Sequence, residues 1–445
     1  MMSSGWYPNS AGFHILQLSV DPPDWLHESK LFPPTFLFAR NVKLIQANHQ
    51  IDQPSDHPPL VHTWQIKESP MEPTPSSHGP IPSISLQRAS AALASLFVGD
   101  SLAMPVHWYY DTADIERAFP GGIKEFEAAP EFHPSSIMSL HSTRRGGRSA
   151  HGGLSDSPEI IGTVILKGRQ HLWGQANRHY HHGMQAGDNT LNAHCARVLM
   201  RSIIASNGRY SRDHFLQSYI EFMTADPPRH RDTYAESYHR GFFANLVAKK
   251  PPHQCGARTH DTPSMGGLVT IGPLAMSSLL HGAALSTAQA TCREHLFLTH
   301  PDETLGRICD GYVALVAGLL LRKAGESPDR YLLEAAETTM GIDLAHMVDR
   351  ARTDREIVGG RYSTACYISD SWPSLLYLAY KYRNDLKAAL LANTNLGGEN
   401  AHRGAVLGGI VSLSCDSTAP DWFERLVDCE AIQSEIAALL APLPV

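Results

Sequence analysis

Two stretches far apart in the chain place oxygen and imidazole groups where a helix is expected to begin. The first reads His179-Tyr-His-His-Gly-Met-Gln-Ala-Gly-Asp-Asn-Thr-Leu-Asn192. Gly187 frees the backbone, Asp188 is a good N-cap, and Leu191, Cys195 and Val198 follow on one face, so the spacing predicts a helix over 188–205. Asp188, Asn189 and Thr190 then offer a carboxylate, an amide and a hydroxyl, the ligand types that a hard cation such as Mg²⁺ prefers. The same three residues also make an ordinary capping turn. The second stretch runs from Asn395 to Gly409, where a Gly397-Gly398 turn delivers Glu399, Asn400, His402 and Arg403 to the head of an apolar helix. In that helix Val406, Ile410 and Leu413 share a face, while Gly404 and Gly408, four apart, allow a neighbouring helix to approach closely. Facing helices of this kind are how all-helical folds build metal and sugar sites.

Four landmarks in order resemble the ADP-ribosylglycohydrolase family, enzymes that hydrolyse the N-glycosidic bond of ADP-ribosylated proteins. Gly99-Asp-Ser-Leu-Ala-Met-Pro105 is similar to the family's opening Gly-Asp-Ala-Leu-Gly-Ala-Pro helix, and Gly187-Asp-Asn-Thr190 stands where the family has Thr-Asp-Asp-Thr. Leu298-Thr-His-Pro301 resembles its central Leu-Thr-His motif, and Gly398-Glu-Asn-Ala-His402 stands where it has Gly-Asp-x-Asp-Thr. The resemblance runs from about Leu86 to Leu440 and implies an all-α fold, a single large helical domain.

In that family the two acidic motifs hold a pair of Mg²⁺ ions. Carried over position by position, the ligands become Gly187, Asp188, Asn189, Glu399, Ala401 and His402, and the family's acidic residue after the opening helix falls at about His107. Only Asp188 and Glu399 keep a carboxylate, so the expected metal set is Asp188, Asn189 and Glu399, holding one magnesium ion at most. The resemblance implies a hydrolase for a ribosyl N-glycosidic bond, with Asp188 and Glu399 as the carboxylates and Asp100 orienting one of them. Asn189, Asn192, Asn400 and His182 are the expected substrate-binding groups. An alternative dispenses with metal and uses His107, His182 or His402 as acid and base on a different small molecule, since histidine titrates near neutrality. A further alternative is a non-catalytic relative of the family, because fold does not fix function.

The elements that must position these groups follow from pattern. From Leu86 onward the sequence reads as helix almost throughout, over 86–103, 188–205, 212–224, 233–248, 266–282, 285–297, 303–323, 328–338, 373–391, 403–414 and 422–440. Leu315-Val-Ala-Gly-Leu-Leu-Leu321 is apolar all round and predicts a central helix. Residues 1–84 differ: prolines cluster and no helical period appears, which predicts a mobile extension ahead of a domain over 85–445. Between Ile123 and Gln185 lies an irregular stretch with Arg144-Arg-Gly-Gly-Arg148 and His151-Gly-Gly, either a phosphate clamp or a solvated loop.

Composition excludes several classes. A formal charge of −7 gives no broad basic field for nucleic acid, and no signal peptide or membrane span is evident. Seven cysteines without a repeated spacing read as reduced thiols, for which the cytosol is the expected compartment. The chain has no Gly-x-Ser-x-Gly elbow, no Walker loop and no dinucleotide fingerprint. A tetrahedral zinc set has no paired spacing to suggest it, although His181 and His182 with distant partners come nearest. The resemblance to the family implies a small molecule or an ADP-ribosyl-type substrate as the partner.

Overall fold

A computed structural model describes two short N-terminal strands and then residues 83–136, 138 and 160–443. The chain divides into two units, Met1–Pro73 and Thr74–Val445. In the first, β1 (Ser3–Pro8) pairs antiparallel with β2 (His14–Ser19), Ser3 opposite Ser19 and Pro8 opposite His14. The rest of the proline-rich segment lies outside the described residues, as do the basic stretch 144–148 and His151.

The second unit is all-α, as the motifs imply. Its helices are α1 (Ser83–Ala103), α2 (Thr112–Ala118), α3 (Leu191–Ala205), α4 (Arg212–Met223), α5 (Ser237–Val247), α6 (Ile271–Leu280), α7 (Leu285–Phe297) and α8 (Glu303–Leu321). They continue through α9 (Asp329–Met340), α10 (Leu344–Arg350), α11 (Asp354–Ile357), α12 (Ile368–Lys381), α13 (Leu386–Leu396), α14 (Asn400–Cys415), α15 (Pro420–Phe423) and α16 (Cys429–Leu439). Extended pairing among the described residues of this unit is limited to isolated bridges such as Ser264 with Tyr367.

The innermost element is α14, in which every residue from Asn400 to Ser414 is buried. Small residues make this possible. A Cβ on Gly404 would lie 2.5 Å from the Gly99 carbonyl oxygen, and one on Gly408 would lie 2.3 Å from that of Ser95. The neighbour admitted by the two glycines is thus α1, backbone against backbone. The run 315–321, expected at the centre, belongs instead to a half-covered helix: α8 buries Leu315, Val316, Leu319 and Leu320 but leaves Leu321 51% exposed. By length and composition alone α1 and α8 could each cross a membrane, contrary to the sequence expectation. In this fold 89% of the apolar window at α1 is buried inside the protein, as a core helix requires.

Three boundaries differ from expectation. The single helix expected over 373–391 is two, because Asp385 caps a new helix by accepting the Ala388 N–H at 3.0 Å. That expected over 422–440 is also broken, into α15 and α16. The helix expected from Asp188 starts at Leu191, with Thr190 in the N-cap position. Its free N–H groups are satisfied from a distance: Asp100 of α1 accepts the Thr190 N–H at 2.8 Å, and Asp232 accepts that of Leu191 at 2.7 Å.

Candidate functional site

Glu399 heads α14 after two glycines whose left-handed φ values, +67° and +65°, suit them to the turn. The turn is pinned on both sides. Trp108 N–H donates to the Gly398 carbonyl at 2.8 Å, Gly398 N–H to Tyr109 at 2.7 Å, and Glu399 N–H to Thr364 at 2.9 Å. Trp108 itself has φ +63°, an uncommon conformation for a bulky side chain, and this aims its indole N–H at Glu399 Oε2, 2.5 Å away.

Around that carboxylate the chain assembles a buried array of acids and imidazoles. Glu399 Oε1 contacts His402 Nδ1, and His402 Nε2 faces Glu236 Oε1 at 3.2 Å. His107 Nε2 lies 3.6 Å from Glu399 Oε2, and its Nδ1 is 2.8 Å from His181 Nε2. His181 Nδ1 is in turn 2.8 Å from Asp232 Oδ1. Asn192 braces the far side, with its amide nitrogen 3.0 Å from Glu236 Oε1 and 2.7 Å from the Tyr238 hydroxyl. Burial opposes ionisation of Glu399, yet His402 and His107 outweigh it and hold the carboxyl well below the usual range. Burial also works against a charged His402, but Glu399 and then Glu236 keep it well above its ordinary value. Burial first of all pushes the Glu236 carboxyl up, with Asp232 adding to it and His402 opposing. Burial likewise pushes His107 down to about 3, with His402 and His181 adding to it and Glu399 opposing.

Glu399, His402 and Glu236 form the floor of a pocket of about 290 Å³. Trp108, Tyr110, Tyr180, Tyr234, Tyr238 and Tyr367 supply its aromatic lining, with Asp261 and His260 at one side. Tyr180 and Tyr234 meet the Trp108 ring edge-on, with centroids 4.6 and 5.2 Å away. The indole also stacks on His107, with ring centroids 3.7 Å apart.

The residues singled out from the sequence separate into those the fold brings here and those it does not. Glu399 and His402 line the pocket, with His107 and Asn192 directly behind. Asp188 is not among the lining residues; its carboxylate accepts the Gln185 N–H at 2.7 Å and faces Arg231 at 3.5 Å. Asn189 gives its amide to the Phe97 carbonyl and to Asp100, each at 2.8 Å. Asp100, fully buried, is absorbed by Asn189 and Thr190 and ties α1 to the start of α3. Asn400 donates to the Thr394 carbonyl at 2.9 Å, bracing the turn, and His182 sits half-buried beside Arg178. His300 lies just past the end of α7, with Thr299 Oγ1 at 2.8 Å from its Nδ1. Sequence reasoning missed Glu236, Asp232 and Trp108. The only local signal was a pair of acids four apart, Asp232 and Glu236, just before α5.

Residues 82–443 match the family model described as ADP-ribosylglycohydrolase. The chain belongs to the ADP-ribosylglycohydrolase family. It is also similar to a solved structure titled "ADP-ribosylglycohydrolase-related protein complex", at 16% identity and a TM-score of 0.47, over 80% of this chain and 98% of that one. No curated protein matches it.

Membership in this glycohydrolase family implies magnesium, and the donor chemistry here does not suit it. Mg²⁺ demands near-octahedral oxygen ligands. The oxygens expected to supply them do not converge: Asp188 serves a backbone N–H, Asn189 serves Asp100, and Glu399 is enclosed by an indole and two imidazoles. In place of an oxygen cage, this member of the family carries His107, Glu399 and His402, with ligand atoms all within 4.8 Å of one another.

Proposed function

We propose that the aromatic pocket hydrolyses a ribosyl N-glycosidic bond, with Glu236 moving the proton. One observation carries this reading: Glu236 lines the pocket, is 5% exposed, and its Oε2 has no hydrogen-bond partner among the described residues. A buried carboxyl oxygen left free at a pocket floor is positioned for acid–base work. Its burial favours the protonated form, so it can give a proton to the departing nitrogen as the C–N bond breaks. The carboxylate left behind then takes a proton from the water whose oxygen bonds to the anomeric carbon. Atoms balance, and Glu236 returns to its starting state.

The pocket suits the cationic sugar formed between these two steps. Aromatic faces attract positive charge, and six aromatic residues line the cavity. Glu399 and its imidazoles make the rigid floor against which the sugar is held. Asn192 orients Glu236 without entering the pocket itself.

The test is to incubate the protein with N-ribosides, ADP-ribose conjugates and ADP-ribosylated peptides and to follow sugar release by chromatography. Release from at least one substrate is expected, reduced roughly 10²–10⁴-fold in Glu236→Gln, the usual cost of losing a positioned acid or base. No release from any of them, or undiminished release by a folded Glu236→Gln protein, would overturn the reading.

A further inference from the structure

Hydrogen-bond bookkeeping through the buried array has a consequence independent of which bond the pocket breaks. Asp232 accepts backbone N–H groups on both oxygens, from Leu191 at 2.7 Å and Tyr234 at 3.2 Å, as a carboxylate does. His181 therefore donates from Nδ1 to Asp232, which in neutral imidazole leaves its Nε2 to accept from His107 Nδ1. His107 is then left with a bare Nε2, fully buried, without a partner and 3.6 Å from Glu399 Oε2. That gap is too long for a hydrogen bond. On the other side, His402 Nε2 lies 2.7 Å from the Asn192 amide nitrogen and 3.2 Å from Glu236 Oε1, and Nδ1 turns towards Glu399 Oε1. A ring nitrogen from each of two imidazoles and a carboxylate thus converge, their ligand atoms within 4.8 Å of one another. No lysine or arginine hydrogen-bonds to Asp232, Glu236 or Glu399 side chains among the described residues.

We propose that His107 Nε2, His402 Nδ1 and Glu399 form a binding site for one divalent transition-metal ion of the zinc type, with a fourth position open to the pocket. Imidazole nitrogen with one carboxylate is a donor set for zinc and its neighbours, not for magnesium. Zinc–nitrogen and zinc–oxygen bonds of about 2.0–2.2 Å at a tetrahedral angle hold the two ligand atoms ~3.3–3.5 Å apart. The His107–Glu399 separation of 3.6 Å already matches that span. The Glu399–His402 contact must open by about an ångström to seat an ion at such bond lengths. The surrounding groups are those that hold metal-bound histidines in place. Glu236 backs His402, Asp232 backs His107 through His181, and the Trp108 N–H fixes Glu399. The pocket supplies the way in, since Glu399 and His402 both line it.

The experiment uses the full chain stripped with a chelator and titrated with Co²⁺, whose tetrahedral complexes absorb visible light far more strongly than octahedral ones. One equivalent of tetrahedral Co²⁺ is expected, displaced by Zn²⁺ and not by millimolar Mg²⁺. His107→Gln should abolish the signal. His181→Gln, which alters only the support behind a ligand, should weaken binding roughly 10–100-fold. The exposed His346→Gln should leave binding unchanged. Absence of a tetrahedral spectrum in folded wild-type protein overturns the proposal, and so does unchanged affinity in folded His107→Gln or His181→Gln. Should both variants unfold, the wild-type spectrum and its resistance to Mg²⁺ decide. Because the readout is binding, its failure is separate from any failure of the hydrolytic reading.

Discussion

Gly99 and Gly404 face each other where α1 meets α14, so close that a Cβ on Gly99 would sit 2.1 Å from the Gly404 carbonyl oxygen. Backbone cannot yield as a side chain can. In an open helix Gly→Ala would stabilise by up to about 1 kcal/mol through propensity, but overpacking a dense core costs roughly 1–3 kcal/mol. Gly99→Ala is therefore expected to lower the thermal unfolding midpoint, and to disturb the pocket because Glu399 and His402 open the displaced helix. An unchanged or raised midpoint would show that the two helices can separate freely.

Asp188→Asn should leave turnover nearly intact. The carboxylate accepts the Gln185 N–H, an acceptor role that an asparagine oxygen also fills, and it is absent from the pocket. The expected change is less than about twofold, against the roughly 10²–10⁴ for a residue that moves the proton. Parallel assays of Asp188→Asn and Glu236→Gln make the comparison, and equal losses in the two would contradict the placement.

Glu399, His402, Gly404 and Gly408 were legible in the sequence because their meaning is local: a glycine turn, a helix start and a small-residue stripe lie within one short stretch. Asp188 misled for a related reason. Adjacency to Asn189 and Thr190 suggested one ligand cluster, but adjacency does not set direction, and the capping of α3 fell to Asp100 and Asp232 from other parts of the chain. Glu236 joins the site only because its loop folds against Asn192 and His402, a tertiary contact without a sequence signature. The left-handed backbone at Trp108 is equally silent, since no glycine or asparagine marks it.

Trp108→Phe should fold and yet lose activity. Phenylalanine keeps an aromatic ring against His107, Tyr180 and Tyr234, but it cannot donate the hydrogen bond to Glu399 Oε2. A hydrogen bond to a charged group contributes about 1.5–3 kcal/mol, enough to let the buried carboxylate shift towards His402. Reduced turnover with a near-native circular dichroism spectrum is expected. Full turnover would mean that the indole N–H does not hold the floor in place.

Acid should destabilise the protein through histidines buried as neutral rings, and His295 is the cleanest case. Its Nδ1 meets the Tyr210 hydroxyl at 3.2 Å, its Nε2 meets Thr270 Oγ1 at 3.1 Å, and no carboxylate is among these partners. Burial pushes it down to about 3. In the unfolded chain the same imidazole takes up a proton near its ordinary value of about 6.5. Above that pH both states are neutral and the full stability is present. As pH falls from about 6.5 towards about 3, the unfolded chain alone binds the proton, and each pH unit costs about 1.4 kcal/mol per such group. His295→Gln removes this proton while leaving polar atoms for the two hydroxyls. Denaturant melts at stepped pH should therefore show a shallower acid decline in the variant than in the wild type. Parallel declines would mean that His295 is protonated inside the folded protein, contrary to the buried neutral ring described by its contacts.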